Sequence, residues 1–389
     1  MTAGAPDVLI VGAGVIGAST AFGLTRLTPG SVAVLDRATA GSGMSSRSSA
    51  LVRMHYTFAP EVDLAVRSDA MFASWTELTG RPAVVRRTGF VRIVAPDESA
   101  LLAANVAMQR EHGVNAELVD SDELSKIAPG LRTDDVASAA WEPDGGYGDG
   151  AIVAGDLLAA AREAGARYLP NTPVRSLLTD GERVTGVLTD AGPVYAGVVV
   201  LACGVWSPAL LASAGISLPI ETELHKVAIV ANPAGGGVQI ACIDSVTQTY
   251  FRPESGRHMT LVGGFSGARG TNPDEVPPAA QACEVAELVG SAAHRVPALA
   301  DSGIARGIAG VYDMTPDARP MLGEVPGRPG LIVAAGFSGM GFKISPAVGE
   351  ALAELIVAGA ATRVDLEVFR PSRFAEGAPI QPEMAYSDD

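Results

Sequence analysis

Residues 8–17 read VLIVGAGVIG. Val8, Leu9, Ile10 and Val11 form an apolar run of strand length. Gly12, Gly14 and Gly17 complete a G-x-G-x-x-G pattern, and the apolar-periodic segment 15–24 follows. The order predicts a strand, a tight turn and a helix. In such a unit the first glycine permits the turn, the second lets a pyrophosphate approach the backbone, and the third lets helix pack on strand. Val15 and Ile16 open the helix, whose free N–H groups and partial positive charge suit a diphosphate. A second apolar run, 32–35, ends in Asp36, with Arg37 next to it. This acid stands roughly 20 residues beyond the glycines, the spacing at which a carboxylate grips a ribose hydroxyl. A buried glycine-rich turn without a ligand would explain the glycines alone. The acid in its place favours a dinucleotide.

The totals bound the class. A chain of 389 residues with 48% hydrophobic content is globular and long enough for two domains. Its net charge of −15 argues against nucleic acid and anionic membranes as partners. Three cysteines, Cys203, Cys242 and Cys283, are widely spaced, which speaks against a disulfide framework or a metal site. Segment 8–24 has no basic leader and is broken by Gly and Ser, so it reads as neither a signal peptide nor a membrane span. A soluble cytoplasmic protein is expected. Lysine is scarce, at Lys126, Lys226 and Lys343, so a lysine in a sensitive place matters.

Along the chain, the polar loop 38–50, ATAGSGMSSRSSA, stands where a simple nucleotide fold would continue its alternation. Its small hydroxyl residues, Ser45 and Ser46 among them, let backbone approach a flat ligand. Arg53, His55 and Tyr56 follow directly. A helix is expected over 61–78, a strand over 88–94, a helix over 99–112, and a short helix over 121–127 opened by S-x-x-L without a capping glutamate. The turn-rich stretch 139–149 ends an insertion. Short strands 174–178, 184–188 and 194–201 form a meander that starts at Val174 and runs into VLACGVWS, with Ala202, Gly204 and Trp206. Further strands are expected at 226–230, 246–251 and 259–263, a helix at 278–289, a return at 304–312, a strand at 331–334, and a closing helix from Ser345. Residues 366–369 are of strand length, and a polar acidic tail ends the chain.

A second glycine cluster, Gly336, Gly339 and Gly341, lies between that last strand and the closing helix, within the run Gly336, Phe337, Ser338, Gly339, Met340, Gly341, Phe342, Lys343. It predicts backbone N–H groups aimed at an electron-rich part of the same ligand. A nicotinamide has no need of this. A flavin does, because its N1–C2=O edge gains negative charge on reduction.

These stretches together resemble the FAD-dependent amine oxidoreductases of the D-amino acid oxidase class, nearest to sarcosine oxidase and glycine oxidase. The likeness rests on VLIVGAGVIG, the Ser-rich loop before Leu51-Val52-Arg53, VLACGVWS, the TPD segment 315–317 and AAGFSGMGFK at 334–343. It implies an α/β (α+β) fold, with a Rossmann-like FAD-binding domain from 1–80, 145–220 and 305–370. A mixed-sheet substrate domain would come from 81–144 and 221–304, with 371–389 as a tail. It also implies that Arg53 and Lys343 hold a substrate carboxylate and that Tyr250 lies in the active site, where His55 and Tyr56 could bond the amine. His225 and His258 read as packing or surface residues.

Three positions depart from the family. Gly310 stands where sarcosine oxidase bonds its flavin through cysteine, so a non-covalent FAD is expected. Leu261 stands at the oxygen-activating lysine, and Phe265 at an active-site histidine. The expected reaction is oxidation of a C–N bond in a primary or secondary amino acid to an imine by hydride transfer, with O2 as acceptor. A dehydrogenase using another acceptor, or a flavin-bearing subunit of a larger complex, are the alternatives.

Overall fold

The computed structural model describes residues 4–28, 30–233, 236–254 and 258–387. The opening unit forms as its pattern demands. Strand Val8–Val11 lies between Val32–Leu35 and Val198–Leu201, parallel to both, with Val8 opposite Val32 on one side and Val198 on the other. Leu331–Ala335 and Arg167–Leu169 extend this sheet, and Met321–Glu324 joins it antiparallel, giving six strands in all. The central strands are buried along their length except at half-buried Val198. That is why they read as unbroken apolar runs: both faces of a parallel sheet are covered.

Helix Val15–Leu27 packs against Gly150–Glu163 and the long helix Gly341–Ala358. The last contact is close because both helices carry glycine where they cross. A Cβ on Gly349 would sit 2.3 Å from the Ser19 carbonyl carbon, and one on Gly23 would sit 2.8 Å from the Gly349 oxygen.

A second, nine-stranded sheet collects Phe90–Ile93, Glu117–Val119 and Ala139–Glu142 from the first insertion, and six strands between 221 and 314 from the second. It is antiparallel except where Ala241–Asp244 runs parallel to Phe90–Ile93. Two three-stranded sheets complete the structure. One is the meander Val174–Asp180, Arg183–Thr189 and Gly192–Tyr195. The other joins Leu51–Val52, Gly146–Tyr147 and Arg86–Arg87.

Several boundaries differ from the sequence reading. The expected 61–78 helix is two, Ala59–Ala73 and Trp75–Thr79, broken at Ser74. The run 194–201 divides between the meander and the central sheet. Helix Ser121–Ile127 has a full capping box after all, because its cap is Asp120: the Asp120 carboxylate accepts from Glu123 N at 2.9 Å, and Glu123 Oε2 accepts from Asp120 N at 3.1 Å. Strand Gly303–Met314 pairs along its length with Glu221–Ala231, so the expected boundary at 305 falls inside a strand of the larger sheet.

The closing helix starts at Gly341, four residues before the expected Ser345, and carries Pro346 inside its second turn. The carbonyl that Pro346 cannot serve, Phe342 O, accepts from Ser345 Oγ at 2.8 Å instead. Residues 366–369 form no strand; Glu367–Phe369 is a 3-10 turn. The tail is not a free end. Arg373, fully buried, makes a two-pronged bond to Asp317 at 2.8 and 2.9 Å, and Ile380 N donates to the same carboxylate. No helix among the described residues is long and apolar enough to cross a membrane, and no His, Cys, Asp and Glu cluster among them could hold a metal ion.

Candidate cofactor and substrate site

The glycine turn opens on a cavity of about 650 Å³. Gly12 has φ of +105°, and a Cβ there would come within 2.3 Å of Ala202 O. Only glycine lets the two strand ends lie side by side. Gly14, Val15 and Ile16 line the cavity at the helix N-terminus, and Ser45 Oγ accepts from Val15 N at 3.1 Å. Asp36 accepts from Ala13 N at 2.7 Å and Ala38 N at 2.8 Å, which fixes its carboxylate at the cavity edge. A carboxylate has about four acceptor positions, so capacity remains for hydroxyl groups.

Arg37, Val174, Ala202, Gly204 and Trp206 also line this cavity. Arg37 lies over the Trp206 ring at 4.0 Å, and both side chains bond to Asp274 Oδ1, at 2.8 and 2.9 Å. Asp274 comes from the second insertion, so the clasp bridges two distant parts of the chain.

Gly339, Gly341 and Phe342 line the other end. Gly17, Ser46 and Gly336, also expected at the cofactor, do not reach the cavity. Gly17 abuts Gly12, its ideal Cβ 1.9 Å from Gly12 O, so it serves helix–strand packing. Ser46 Oγ turns back to Ser42 O and Gly43 O. Gly336 makes the turn at φ +77° and donates to Asp313 Oδ2 at 2.6 Å.

The residues fit FAD. One cavity is lined by the Asp36 carboxylate, the glycine turn with its helix N-terminus, and the second glycine loop, the set a dinucleotide needs. Gly310 lies in its wall without a side chain to bond covalently. Cys203, which also reaches the wall, donates Sγ–H to Val11 O, and burial pushes its thiol pKa up.

A smaller cavity, about 230 Å³, adjoins the first. Ser48, Tyr312, Gly339 and Phe342 line both. Arg53, His55, Tyr56, Tyr250 and Lys343 all line it, as do Ser338 and Met340. Lys343 stands in the first turn of the closing helix, not in the loop before it. Arg53 lies over the Tyr56 ring at 4.5 Å, with Lys343 Nζ 5.8 Å from the same ring.

Burial and then the Arg53 charge hold the Lys343 pKa well below the usual lysine range. His55 is pushed well down by burial, with Arg92 and Arg53 adding to it. Burial drives the phenols of Tyr56 and Tyr250 up. The Tyr250 ring lies across Gly263, whose ideal Cβ would be 2.1 Å from its Cζ.

Lining residues that were not singled out as site residues include Arg92, Glu223, His225, Tyr312, Arg319 and Tyr386. His225 stacks on Tyr312 at 3.9 Å and bonds through Nε2 to Glu223 Oε1 at 2.9 Å. Burial lowers its pKa, while Glu223 and the Gly264 backbone act in the opposite sense. Residues two apart on a strand share a face, and Glu223 and His225 on Glu221–Ala231 carried that signal. Leu261 lies in an apolar cluster with Leu51, Phe90 and Tyr250, and Phe265 lines the smaller cavity. His258 lies outside it, on the surface.

Comparison with known proteins agrees with this architecture. The family described as "DAO: FAD dependent oxidoreductase" matches residues 7–355. Glycine oxidase of Geobacillus kaustophilus is 30% identical over 90% of this chain and 92% of its own. The 4-methylaminobutanoate oxidase (formaldehyde-forming) of Paenarthrobacter nicotinovorans is also 30% identical over 90% of this chain, which spans 43% of that relative. Among solved structures, L-proline dehydrogenase from P. horikoshii superposes with a TM-score of 0.87 at 29% identity, covering 96% of this chain and 98% of that one. Glycine cradle, ribose acid and second glycine loop thus sit in a chain matched over nearly its whole length, which belongs to the DAO family of FAD-dependent oxidoreductases.

Proposed function

We propose that this protein oxidises the C–N bond beside the carboxylate of a primary or secondary amino acid, free, N-methylated or cyclic, to an imine. One observation carries the reading. Two cations, half-buried Arg53 and buried Lys343, share the wall of a cavity that adjoins the cofactor's, and among the described residues neither forms an ion pair. Glu61, whose charge also reaches Lys343, is bonded to Arg319 at 2.7 Å. Cations taken out of water without an anion cost several kcal/mol each. A substrate carboxylate offsets that cost, and the guanidinium fork with the ammonium fixes its orientation.

FAD, held by the glycine turn, Asp36 and the second glycine loop, would supply the two-electron sink for hydride removal from the carbon that bears the amine. The chain's own work is to position and deprotonate. Tyr56 and Tyr250 stay protonated at neutral pH and serve as hydrogen-bond donors. His55 stays neutral. His225 is the group suited to take the substrate ammonium's proton at its ring, since Glu223 stabilises the imidazolium that results. We assign the cofactor to the stretches 1–80, 145–220 and 305–370 and the substrate to 81–144 and 221–304, with Gly303–Met314 shared between them.

We take O2 as the acceptor. A non-oxygen acceptor is the second reading, which the apolar surroundings of Leu261 favour: a cation there would stabilise superoxide, and none is supplied at that position. The test is anaerobic reduction of the yellow holoprotein by amino acids, N-methyl amino acids and cyclic imino acids, followed by air. Bleaching near ~450 nm by one class names the substrate. Fast recovery in air supports O2, and slow recovery the second reading. No bleaching by any member of the panel overturns the proposal.

A further inference from the structure

We propose that Tyr386, from the tail of the chain, is a specificity-determining residue of the smaller cavity. The proposal rests on the reading of that cavity as the substrate site. The tail is tied down on both sides of this residue: Asn105 Nδ2 donates to Met384 O at 2.9 Å, and Ser387 N donates to Glu98 Oε1 at 2.6 Å. Between these ties Tyr386 turns inward. It is 4% exposed and lines the cavity together with Arg53 and Lys343.

Its ring is held on three sides. It lies parallel to the His55 imidazole, centroids 5.9 Å apart with 11° between planes. Its hydroxyl is 2.9 Å from His55 Nε2. The Arg92 guanidinium lies 4.9 Å from its centroid on the ring face. A phenol has two side-chain torsions, and these contacts fix both, so the ring is a rigid wall. His55 follows Arg53 by two residues, which places that wall beside a carboxylate anchor. Substrate-sized sites commonly span about 300–1,000 Å³. In a cavity of about 230 Å³, a wall the size of a phenol decides which amino acid side chains enter. The volume it vacates is that of one aromatic ring.

The experiment uses holoenzyme and two unreactive carboxylates, acetate and indole-3-acetate, with dissociation constants read from the change each makes in the visible spectrum of the bound flavin. The variants are Tyr386→Ala, Tyr386→Leu, Tyr386→Phe and Arg53→Met. In the native enzyme acetate is expected to bind more tightly than indole-3-acetate. Tyr386→Ala, or Tyr386→Leu if the former does not fold, shifts the ratio of the two constants at least tenfold towards the indole acid. Tyr386→Phe, which keeps the ring, leaves the ratio within threefold. A shift below tenfold in the truncated variants overturns the proposal, as does an equal shift in Tyr386→Phe, which would assign the effect to the hydroxyl. Should Arg53→Met bind acetate as the native enzyme does, the substrate site itself is misassigned. Acetate binding that depends on Arg53, with an unmoved ratio, removes only the role of Tyr386.

Discussion

Lys343, expected within the second glycine loop, lines the smaller cavity from a helix instead. It is nearly buried, at 7% exposure, in the first turn of a helix, where the backbone N–H groups add positive charge. An ammonium held there beside Arg53 gives up its proton more readily than a surface lysine, and a bound carboxylate restores it. Replacing either cation, as Arg53→Met or Lys343→Met, is expected to raise KM by ~30-fold or more, about 2 kcal/mol, because the partner charge loses its anion's geometry. Neither side chain lines the larger cavity, so flavin content, read by absorbance, should not change.

Glu142 offers a second test at this scale. Burial raises its carboxyl to about 7, and Asp313 is raised to about 6 for the same reason. The folded state therefore keeps protons that the unfolded state releases above ordinary carboxyl values. Stability from these groups is full at low pH and lost as pH rises through 6 to 7. Each contributes a slope of up to ~1.4 kcal/mol per pH unit within its window. Glu142→Gln keeps an acceptor for Met54 N, which bonds Oε2 at 2.8 Å. Its melting temperature should fall less steeply between pH 5 and ~7 than that of the native protein.

At the scale of the element, helix Gly341–Ala358 serves both cavities with one turn. Gly341 and Phe342 line the larger cavity, and Phe342 and Lys343 line the smaller one. Its start was not legible in the sequence, because glycine is a poor helix former and Pro346 marks a plausible first turn. Tight packing on Val15–Leu27 overrides that propensity. The opening strand, turn and helix were legible in full, since their pattern is local and their glycines have one purpose each. His225 was legible only through its spacing from Glu223 on one strand face, and Tyr386 was not, because its place comes from contacts across the fold and a tail tyrosine carries no local signature. The Arg37–Trp206–Asp274 clasp belongs to this scale too. Its charges are about half exposed, so it adds little to global stability. Asp274→Ala should speed release of FAD by up to ~5-fold, followed through flavin fluorescence, and leave the melting temperature of the apoprotein within about a degree.

For the whole molecule, the local patterns announced a nucleotide-type sheet, and the second, mixed sheet was expected only from the family resemblance. The exact exchange point between them was hidden, because Gly303–Met314 reads like a strand of either. The buried Arg373–Asp317 pair then locks the tail across the TPD segment. Arg373→Met leaves Asp317 with an unpaired buried charge and should cost about 3–5 kcal/mol, visible as a large drop in denaturant midpoint at unchanged m value.

The order of strands in the central sheet has a consequence for biosynthesis. Val8–Val11 leaves the ribosome before both of its neighbours, one of which is Val198–Leu201, and on that side the sheet grows outward only with Leu331–Ala335. Such distant pairings form slowly, since long loops must close before they are rewarded. The glycine cradle is thus translated well before the strand and the second glycine loop that share its cavity, and stays unfinished until they follow. A nascent chain halted before residue 343 has its nucleotide motif and no means of gripping the nucleotide along its full length. FAD loading is therefore expected to follow translation of the 336–343 loop, which flavin retention on nascent chains halted before and after that loop would check.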